Sequence, residues 1–441
     1  MSPKKVITYG TFDLFHQGHY NILKRAREYG DYLIVGVTGE NYDVGRGKLS
    51  VHDSLADRIE NVKKTGLADE IIVEEYLGQK ISDIVRYGVD TFVIGDDWKG
   101  KFDHLDKYCD MVYLERTAGI SSTKIRKETL DVYRIGIIAD DLDDNTIVSE
   151  SKLINGFRVT SVYAEDEELR EAFRERYDIP ESSDSCGQLF EQADIVYIRC
   201  SLKNRSRYIR KALEAGKHVI CDPPFTISSA EQDELQKMAK DRNCILMDNV
   251  KMVHIHVFNQ LLWMTQGGLI GDILSFNASI SREDRTKADL FYDLLALALC
   301  PMIKIMGCDY NSVDIQTSEE NNIIEFASLD FRYDSGRAVI NVGNRIRTKS
   351  RIEIVGTKGT IRMDNRWWKG SYFELDNPDA VDLEIYNTNY QGNGFKYLLK
   401  AISTMLENNR TESMGLFSGE SREIVKIAEM TEKSRTTGKG C

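Results

Sequence analysis

The sequence TYGTFDLFHQGH, residues 8–19, is typical of a turn that leads from a strand into a helix. The run before it, Lys5 to Tyr9, contains three β-branched residues, which favour a strand. Gly10 permits a tight turn, and apolar residues at helical spacing follow between Tyr20 and Tyr29. We therefore predict a strand, a sharp turn and a helix, which is the beginning of a parallel α/β sheet.

Two histidines, His16 and His19, lie at the mouth of this predicted helix, in a turn that we expect to be exposed. A helix N-terminus presents unpaired N–H groups and positive potential, which suit a polyphosphate. Because only Gln17 and Gly18 separate the two imidazoles, both can face such an anion. A zinc-binding pair or a helix cap gives the same pattern without nucleotide chemistry, so the motif alone leaves these alternatives open.

Length and charge limit the class of protein. The chain has 441 residues, of which 41% are hydrophobic, so it can bury sizeable cores and is too long for one ordinary domain. We expect two or three domains. The net charge of -12 argues against general binding of nucleic acid or of anionic membranes, so any cationic site must be local.

Cysteine usage and hydropathy indicate the compartment. Eight cysteines are scattered without a C-x-x-C pair, a pattern typical of a reducing environment. No signal precedes the first predicted strand. The longest apolar stretch, Leu290 to Met306, is interrupted by Asp293, Pro301 and Lys304, which makes it a poor membrane-spanning helix. We predict a soluble cytoplasmic protein with neither nucleic acid nor a membrane as a partner.

Strands and helices alternate through residues 1–130, which predicts an α/β domain with a doubly wound parallel sheet. Ligands of such sheets bind beyond the carboxyl ends of the strands. The two histidines, the segment Gly95-Asp96-Asp97 and Arg116 all follow predicted strands at that edge. We therefore expect them to line one site.

Three cationic segments accompany the histidines. The loop Gly45-Arg46-Gly47-Lys48 is either a solvated turn or a phosphate-binding loop. The run from Arg116 to Thr123 combines a cation, a glycine and hydroxyls before a predicted helix, which suits a triphosphate but also an ordinary helix cap. Lys80 taken alone is the first exposed residue of a predicted helix.

The H-x-G-H motif and four segments around it resemble the glycerol-3-phosphate cytidylyltransferases, a family within the nucleotidyltransferase superfamily. The resemblance covers nearly all of residues 4–128. The segments that carry it are 6–13 (VITYGTFD), 95–98 (GDDW), 100–103 (GKFD) and 116–123 (RTAGISST).

This resemblance implies a site for CTP and for a polyol phosphate. The implied catalytic residues are His16, His19, Lys48 and Arg116. The implied CTP-binding residues also include Thr11, Phe12, Gln17, Gly18, Thr117, Ala118, Gly119, Ile120, Ser121, Ser122 and Thr123. The implied acceptor-binding residues are Arg46 and Lys80. Two positions depart from the family pattern, because Arg46 stands where lysine is usual and Ala118 replaces an acidic residue.

The implied reaction needs little acid–base chemistry. An acceptor phosphate oxygen, already ionised at neutral pH, attacks the α-phosphorus of CTP in line, and pyrophosphate leaves. Catalysis is then mainly positioning and charge neutralisation. Mg²⁺ is expected on the CTP phosphates, with few protein ligands and no dedicated protein metal site.

Alternation resumes after residue 130 and predicts a second α/β part. Residues 131–255 are expected to form a Rossmann-like domain. Residues 256–441 are expected to form an α+β domain with an open, mainly antiparallel sheet, whose C-terminal helices return to the Rossmann-like part.

Residues 133–437 resemble the oxidoreductase family that contains glucose-fructose oxidoreductase and inositol dehydrogenase. The resemblance rests on residues 212–219 (ALEAGKHV), 267–273 (GGLIGDI) and 356–360 (GTKGT). That family has a glycine-rich first turn, where this chain has the acidic stretch 139–144 (ADDLDD), and an acid that holds ribose, where this chain has Ala164 followed by Glu165. The family's catalytic lysine corresponds to Pro223, and a histidine of the later D-x-x-x-H segment corresponds to Leu297.

These departures leave three hypotheses for the second half. The first is a degenerate domain that binds no NAD(P) and transfers no hydride. The second is a reductase that supplies the polyol phosphate, which would make the chain bifunctional. The third is a dimerisation or ligand-sensing module, and the resemblance implies a homodimer in any case.

Overall fold

A computed structural model of the chain describes residues 3–39, 51, 53–75, 79–115, 132–142, 146–154, 156–282, 290–344, 346, 349–377, 383–387, 392–413 and 415–437. The chain divides into two compact units. The front unit comprises Met1–Val132 with Leu153–Gly156, and the rear unit comprises Tyr133–Lys152 with Phe157–Cys441.

The front unit is a parallel sheet with helices on both faces. Its described elements are β1 (Lys5–Gly10), α1 (Gln17–Arg27), β2 (Tyr32–Thr38), α2 (Leu55–Lys64), β3 (Glu70–Glu74), α3 (Gln79–Tyr87), β4 (Thr91–Gly95) and β5 (Asp110–Leu114). The strand order is β3-β2-β1-β4-β5, and each neighbouring pair is parallel. The predicted doubly wound sheet is confirmed.

The sheet of the front unit is buried on both faces, as its continuous apolar strands require. Val6 and Val35 pack on one face with Leu23 of α1, whereas Ile7 and Phe92 pack on the other face with residues of α3. Two short 3₁₀ turns, Asp96–Trp98 and Asp103–Lys107, connect β4 to β5.

The rear unit begins with a second parallel sheet. Its described elements are β6 (Tyr133–Ala139), α4 (Thr146–Glu150), β7 (Phe157–Tyr163), α5 (Glu167–Tyr177), β8 (Glu181–Ser182), α6 (Cys186–Gln192), β9 (Ile195–Arg199), α7 (Leu202–Glu214), β10 (His218–Cys221), α8 (Ser229–Asp241) and β11 (Leu246–Asp248). The order β11-β10-β9-β6-β7-β8 is that of a Rossmann-like fold, as predicted.

A mixed sheet of eight described strands completes the rear unit. The elements are α9 (His256–Gln266), β12 (Ile273–Arg282), α10 (Leu290–Met306), β13 (Ser312–Glu320), β14 (Ile323–Arg332), β15 (Arg337–Asn344), β16 (Arg351–Gly356), β17 (Thr360–Asp364), β18 (Tyr372–Asp376), β19 (Glu384–Asn387), α11 (Phe395–Glu407) and α12 (Ser418–Thr437). The strand order is β13-β14-β15-β12-β16-β17-β18-β19. All of these pairs are antiparallel except β12–β15, which fits the mainly antiparallel sheet that was predicted.

Apolar α10 packs against β12 and β15 within the rear unit. Alternate residues of β12, namely Phe276, Ala278 and Ile280, are buried on that face of the sheet. In the part of the chain that the structure describes, no helix is both long enough and apolar enough to cross a bilayer.

Candidate functional site

The candidate site lies at the carboxyl edge of the front sheet. The chain leaves β1 toward β2 on one side and later places β4 on the other side, so the strand order reverses between β1 and β4. Such a reversal is where ligands of parallel sheets bind. His16 and His19 follow β1, and Gly95-Asp96-Asp97 follows β4, so the edge beside this reversal carries all of these groups.

The turn between β1 and α1 has an unusual backbone. Phe12 and Leu14 have φ values of 55° and 48°, in the left-handed region that non-glycine residues seldom adopt. The Phe12 ring is 2% exposed and folds back beneath Gly10, where an added Cβ would lie 2.9 Å from Phe12 Cζ. Gly10 is therefore needed so that the Phe12 ring can anchor the turn.

The two histidine rings are stacked at the start of α1. Their centroids are 3.9 Å apart and their planes differ by 18°. His16 is the N-cap residue, and its Nδ1 accepts a hydrogen bond of 3.0 Å from the Gly18 N–H. His19 packs edge-on against Phe12, with 5.5 Å between the ring centroids. The expectation of an exposed turn is wrong for both rings, since this aromatic packing leaves them half-buried.

The cap hydrogen bond fixes the tautomer of His16. An acceptor nitrogen carries no proton, so neutral His16 has its N–H at Nε2. His16 can therefore serve both as a helix cap and as part of a nucleotide site. The cap uses Nδ1, so the nitrogen of His16 that can donate a hydrogen bond is Nε2.

Two aspartates stabilise the β1–α1 turn through hydrogen bonds. Asp13 is 1% exposed, and its Oδ1 accepts a 2.9 Å hydrogen bond from the Asp53 N–H. In return, Asp53 Oδ2 accepts a 2.9 Å hydrogen bond from the Leu14 N–H. This reciprocal pair joins the β1–α1 turn to the segment that precedes α2. It holds Leu14 in its left-handed conformation.

Arg58 of α2 ties three segments together at the same edge. Its side chain is 0% exposed and donates hydrogen bonds to the carbonyls of Thr11 (3.0 Å), Thr38 (2.7 Å) and Asp53 (3.1 Å). Thr11 belongs to the histidine turn and Thr38 ends β2. A planar guanidinium suits this task because its donors diverge in fixed directions.

Lys80, at the start of α3, is buried rather than exposed as its sequence position suggested. Its ammonium forms an ion pair with the buried carboxylate of Glu74, the last residue of β3. The same ammonium lies 4.5 Å from the centroid of the Tyr9 ring and 5.3 Å from that of Phe102. The stem of Lys80 is thereby covered, and its charge is held at the edge of the sheet.

Several predicted site residues lie outside the described part of the chain. Those that the structure describes are Thr11, Phe12, His16, Gln17, Gly18, His19 and Lys80. Those outside the described residues are Arg46, Lys48, Arg116, Thr117, Ala118, Gly119, Ile120, Ser121, Ser122 and Thr123.

Sequence reasoning missed Arg58 and Glu74. Neither belongs to a motif. Arg58 donates to Thr11 and Thr38, which are distant in the chain, and Glu74 pairs with Lys80 at the start of the next helix. The sequence does not indicate that Arg58 is buried, because its helix has an ordinary alternation of charged and apolar residues. Glu74 closes a β-strand, where a charged residue usually marks an exposed end.

A family model described as "Cytidylyltransferase-like" matches residues 7–128. The glycerol-3-phosphate cytidylyltransferase of Bacillus spizizenii is 54% identical over 125 residues, which cover 28% of this chain and 96% of that enzyme. The chain belongs to the cytidylyltransferase-like family. An ethanolamine-phosphate cytidylyltransferase of Dictyostelium discoideum is 34% identical over 131 residues, covering 28% of this chain and 36% of that enzyme. The front unit is thus a nucleotidyltransferase.

The cytidylyltransferase-like unit is joined to a second family fold. A model described as "Oxidoreductase family, NAD-binding Rossmann fold" matches residues 144–250. A solved 3-ketoreductase from Actinomadura kijaniata, in complex with NADP and TDP-benzene, aligns with a TM-score of 0.60 at 18% identity. The alignment covers 69% of this chain and 98% of that enzyme. At this identity the likeness shows the fold alone.

The acidic turn after β6 is engaged by the rear unit itself. Asp140 Oδ2 accepts a 2.6 Å hydrogen bond from the N–H of Ser201, the N-cap residue of α7. Asp141 forms a 3.2 Å ion pair with Arg199, the last residue of β9. Because β6 and β9 are neighbours at the point where the strand order reverses, carboxylates of the protein lie in the crevice where Rossmann-like sheets bind ligands.

The remaining positions that correspond to the oxidoreductase family's site are apolar or engaged in ion pairs. Pro223 is buried after β10, and Leu297 lies within α10. Asp293 receives two hydrogen bonds, of 2.7 and 3.0 Å, from buried Arg205. Arg205 also donates to the Pro224 carbonyl at 3.1 Å, so Asp293 serves a structural ion pair.

Proposed function

We propose that the front unit transfers a cytidylyl group from CTP to glycerol 3-phosphate or a close polyol phosphate, giving CDP-glycerol and pyrophosphate. The observation that carries this proposal is the stacked histidine pair at the N-terminus of α1, next to the strand-order reversal. The identity of 54% to a glycerol-3-phosphate cytidylyltransferase supports the choice of acceptor.

In this proposal the histidines stabilise the charge that grows on the α- and β-phosphate oxygens of CTP. His16 keeps Nδ1 in the helix cap, so Nε2–H is its donor. The His19 ring stacks on the His16 ring, and the two planes are nearly parallel. Thr11, Phe12, Gln17 and Gly18 belong to the same turn and line the pocket. Donors fixed before the reaction need no reorganisation when charge develops, which is the main source of rate enhancement in such sites.

Cations complete the proposed site. Lys48 and Arg116, together with the segment from Thr117 to Thr123, are assigned to the CTP triphosphate by their match to the family. Arg46 and Lys80 are assigned to the acceptor phosphate in the same way. The acceptor oxygen attacks the α-phosphorus as the bond to pyrophosphate breaks, so the charge transferred stays on oxygens that these cations neutralise.

Mg²⁺ is proposed as part of the CTP complex. Among the residues that the structure describes, no group of three or more His, Cys, Asp or Glu side chains could hold a metal ion. Mg²⁺ bound to nucleotide phosphates keeps several waters and needs few protein ligands.

The test is pyrophosphate release by the purified full-length protein with CTP and a panel that includes glycerol 3-phosphate and ribitol 5-phosphate. We expect release that depends on both substrates and a product with the mass of CDP-glycerol. His104→Ala, at an exposed histidine of the front unit, is the matched control for variants of the histidine pair. Release no faster with any acceptor than without one would refute the proposed reaction.

We further propose that residues 1–130 form the transferase domain, 131–255 the Rossmann-like domain and 256–441 the open-sheet domain of a cytoplasmic homodimer. The rear domains are proposed to be non-catalytic and to serve dimerisation or ligand sensing. A reductase that supplies the polyol phosphate is the second candidate, favoured by the likeness in fold to a 3-ketoreductase. Pro223 and Leu297 argue against it, because neither side chain can exchange a proton.

A further inference from the structure

The surroundings of Lys80 form a cation-binding cage that the protein fills by itself. Tyr9 and Phe102 present their rings to the Lys80 ammonium at 4.5 and 5.3 Å, and the Glu74 carboxylate pairs with it. Aromatic faces combined with a carboxylate are the arrangement by which proteins bind the ammonium group of a ligand. Here the occupant belongs to the chain.

The cage is built from fixed parts. The Tyr9 hydroxyl donates a 2.8 Å hydrogen bond to Asp83, and burial followed by this hydrogen bond raises the pKa of the Tyr9 phenol. Phe102 packs edge-on against Phe92, with 5.9 Å between the ring centroids. The walls therefore keep their positions whether or not the ammonium is present.

The Glu74 carboxylate is also fixed. It is 1% exposed, and its Oε2 lies 3.4 Å from the Thr38 hydroxyl. The carbonyl of Glu74 accepts a 2.8 Å hydrogen bond from the Gly39 N–H. A carboxylate held in this way would remain beside the two rings if the lysine were removed.

We propose that Lys80 determines acceptor specificity by occupying this cage, which excludes phosphates with an ammonium head and admits phosphates with a neutral polyol tail. The proposal rests on the transferase function proposed above. The relatives include an ethanolamine-phosphate enzyme as well as glycerol-3-phosphate enzymes, so members of this family act on acceptors with different tails. Both acceptors share the phosphate, which Arg46 is also proposed to bind and would still bind without Lys80, so the contact that discriminates between them falls on the tail.

The test is an acceptor swap in the full-length protein. Lys80→Ala empties the cage but keeps both rings and the carboxylate. We expect its kcat/KM for phosphocholine and phosphoethanolamine to rise about ten-fold above wild type, while kcat/KM for glycerol 3-phosphate falls by a similar factor. The larger gain is expected for phosphocholine, since a quaternary ammonium suits an aromatic cage best. The KM for CTP should change less than two-fold.

Matched variants distinguish the effect of emptying the cage from the effect of losing a positive charge. Lys63→Ala removes an exposed lysine of α2 and should leave the acceptor preference unchanged. Glu74→Gln combined with Lys80→Ala removes the carboxylate as well, so its gain with phosphocholine should shrink to about three-fold. Lys80→Met refills the cage with an uncharged side chain and should gain nothing.

A folded Lys80→Ala protein that uses both ammonium acceptors no better than wild type would overturn the inference. If Lys80→Ala does not fold, the double variant carries the test, because it has no unpaired buried carboxylate. A value at or below wild type for phosphocholine in the double variant is then the refuting result. A wild-type protein inactive with every acceptor would instead refute the transferase proposal, and this inference would fall with it.

Discussion

At the scale of single residues, Arg58 does more for the site than its place in the sequence suggests. A buried arginine is costly unless it is hydrogen-bonded, and Arg58 donates from Nε and Nη1 to carbonyls of three separate segments. One of these, Thr11, belongs to the histidine turn. The cost of burying the charge is therefore offset by contacts that also set the position of the turn.

We expect Arg58→Lys to keep the positive charge but to lose the diverging hydrogen-bond donors of the guanidinium. One ammonium cannot reach the carbonyls of Thr11, Thr38 and Asp53 in their present directions. The free energy of unfolding should fall by about 2–3 kcal/mol. In protein that remains folded, kcat should fall more than ten-fold while the KM values change little, because the turn is misplaced rather than removed. Arg86→Lys, at an exposed position of α3, is the control, and equal kinetics for both variants would contradict a positioning role.

His16 combines a cap and a catalytic donor, and one substitution separates the two. In His16→Asn the side-chain oxygen can accept the Gly18 hydrogen bond in place of Nδ1, since asparagine is a good N-cap. The donor at Nε2 is lost. We expect stability within about 0.5 kcal/mol of wild type and a loss of about 10²-fold in kcat. His16→Ala should lose about 1 kcal/mol in addition. Wild-type turnover in His16→Asn would remove the imidazole from the mechanism.

At the scale of elements, the contact between β11 and α12 includes a titrating carboxyl. Asp248 ends β11, is 7% exposed, and accepts a 3.1 Å hydrogen bond from Ser421 of α12. Burial raises the pKa of the Asp248 carboxyl from 3.8 to about 7. The folded protein thus holds a proton that the unfolded chain releases between about pH 4 and pH 7.

The sign of the pH effect follows from this shift. Because the folded state binds more protons in that window, Asp248 lowers stability as pH rises from 4 to 7. Asp248→Asn stays neutral and should avoid the loss. We expect the stability of the variant relative to wild type to increase over this range by up to about 4 kcal/mol. Urea unfolding at pH 4.5 and at pH 7.5 measures the change, and a difference that stays constant or decreases with pH would contradict it.

The strands and the site residues differ in how well the sequence predicts them. The alternation that predicts the Rossmann-like part rests on strands such as β6, β9 and β10, because each is an apolar run that a parallel sheet buries on both faces. β13 has no such signal, because its residues alternate between half-buried and exposed and carry several charges. The histidine turn was found because its chemistry lies within one local motif. The ion pair between Glu74 and Lys80 joins the end of β3 to the start of α3, and no local motif marks it.

At the scale of the whole molecule, the two units differ in how much of their family's sequence they keep. The front unit keeps the motif as well as the fold, with 54% identity to a glycerol-3-phosphate cytidylyltransferase. The rear unit keeps a fold at 18% identity to a 3-ketoreductase. Its acidic turn meets the neighbouring strand ends through Asp140 and Asp141, so negative charge lies where a dinucleotide pyrophosphate would bind.

The last prediction is that the chain binds neither NADH nor NADPH. Asp140 already takes the Ser201 N–H at the start of α7, a donor of the kind that a pyrophosphate needs. A cofactor held some other way would meet Pro223 and Leu297, which cannot exchange a proton with a carbinol oxygen. Titration of both cofactors into the full-length protein, followed by nicotinamide fluorescence and thermal shift, should show no saturable binding. CTP added to the same preparation shows that the protein is folded, and micromolar affinity for either cofactor would restore the reductase hypothesis.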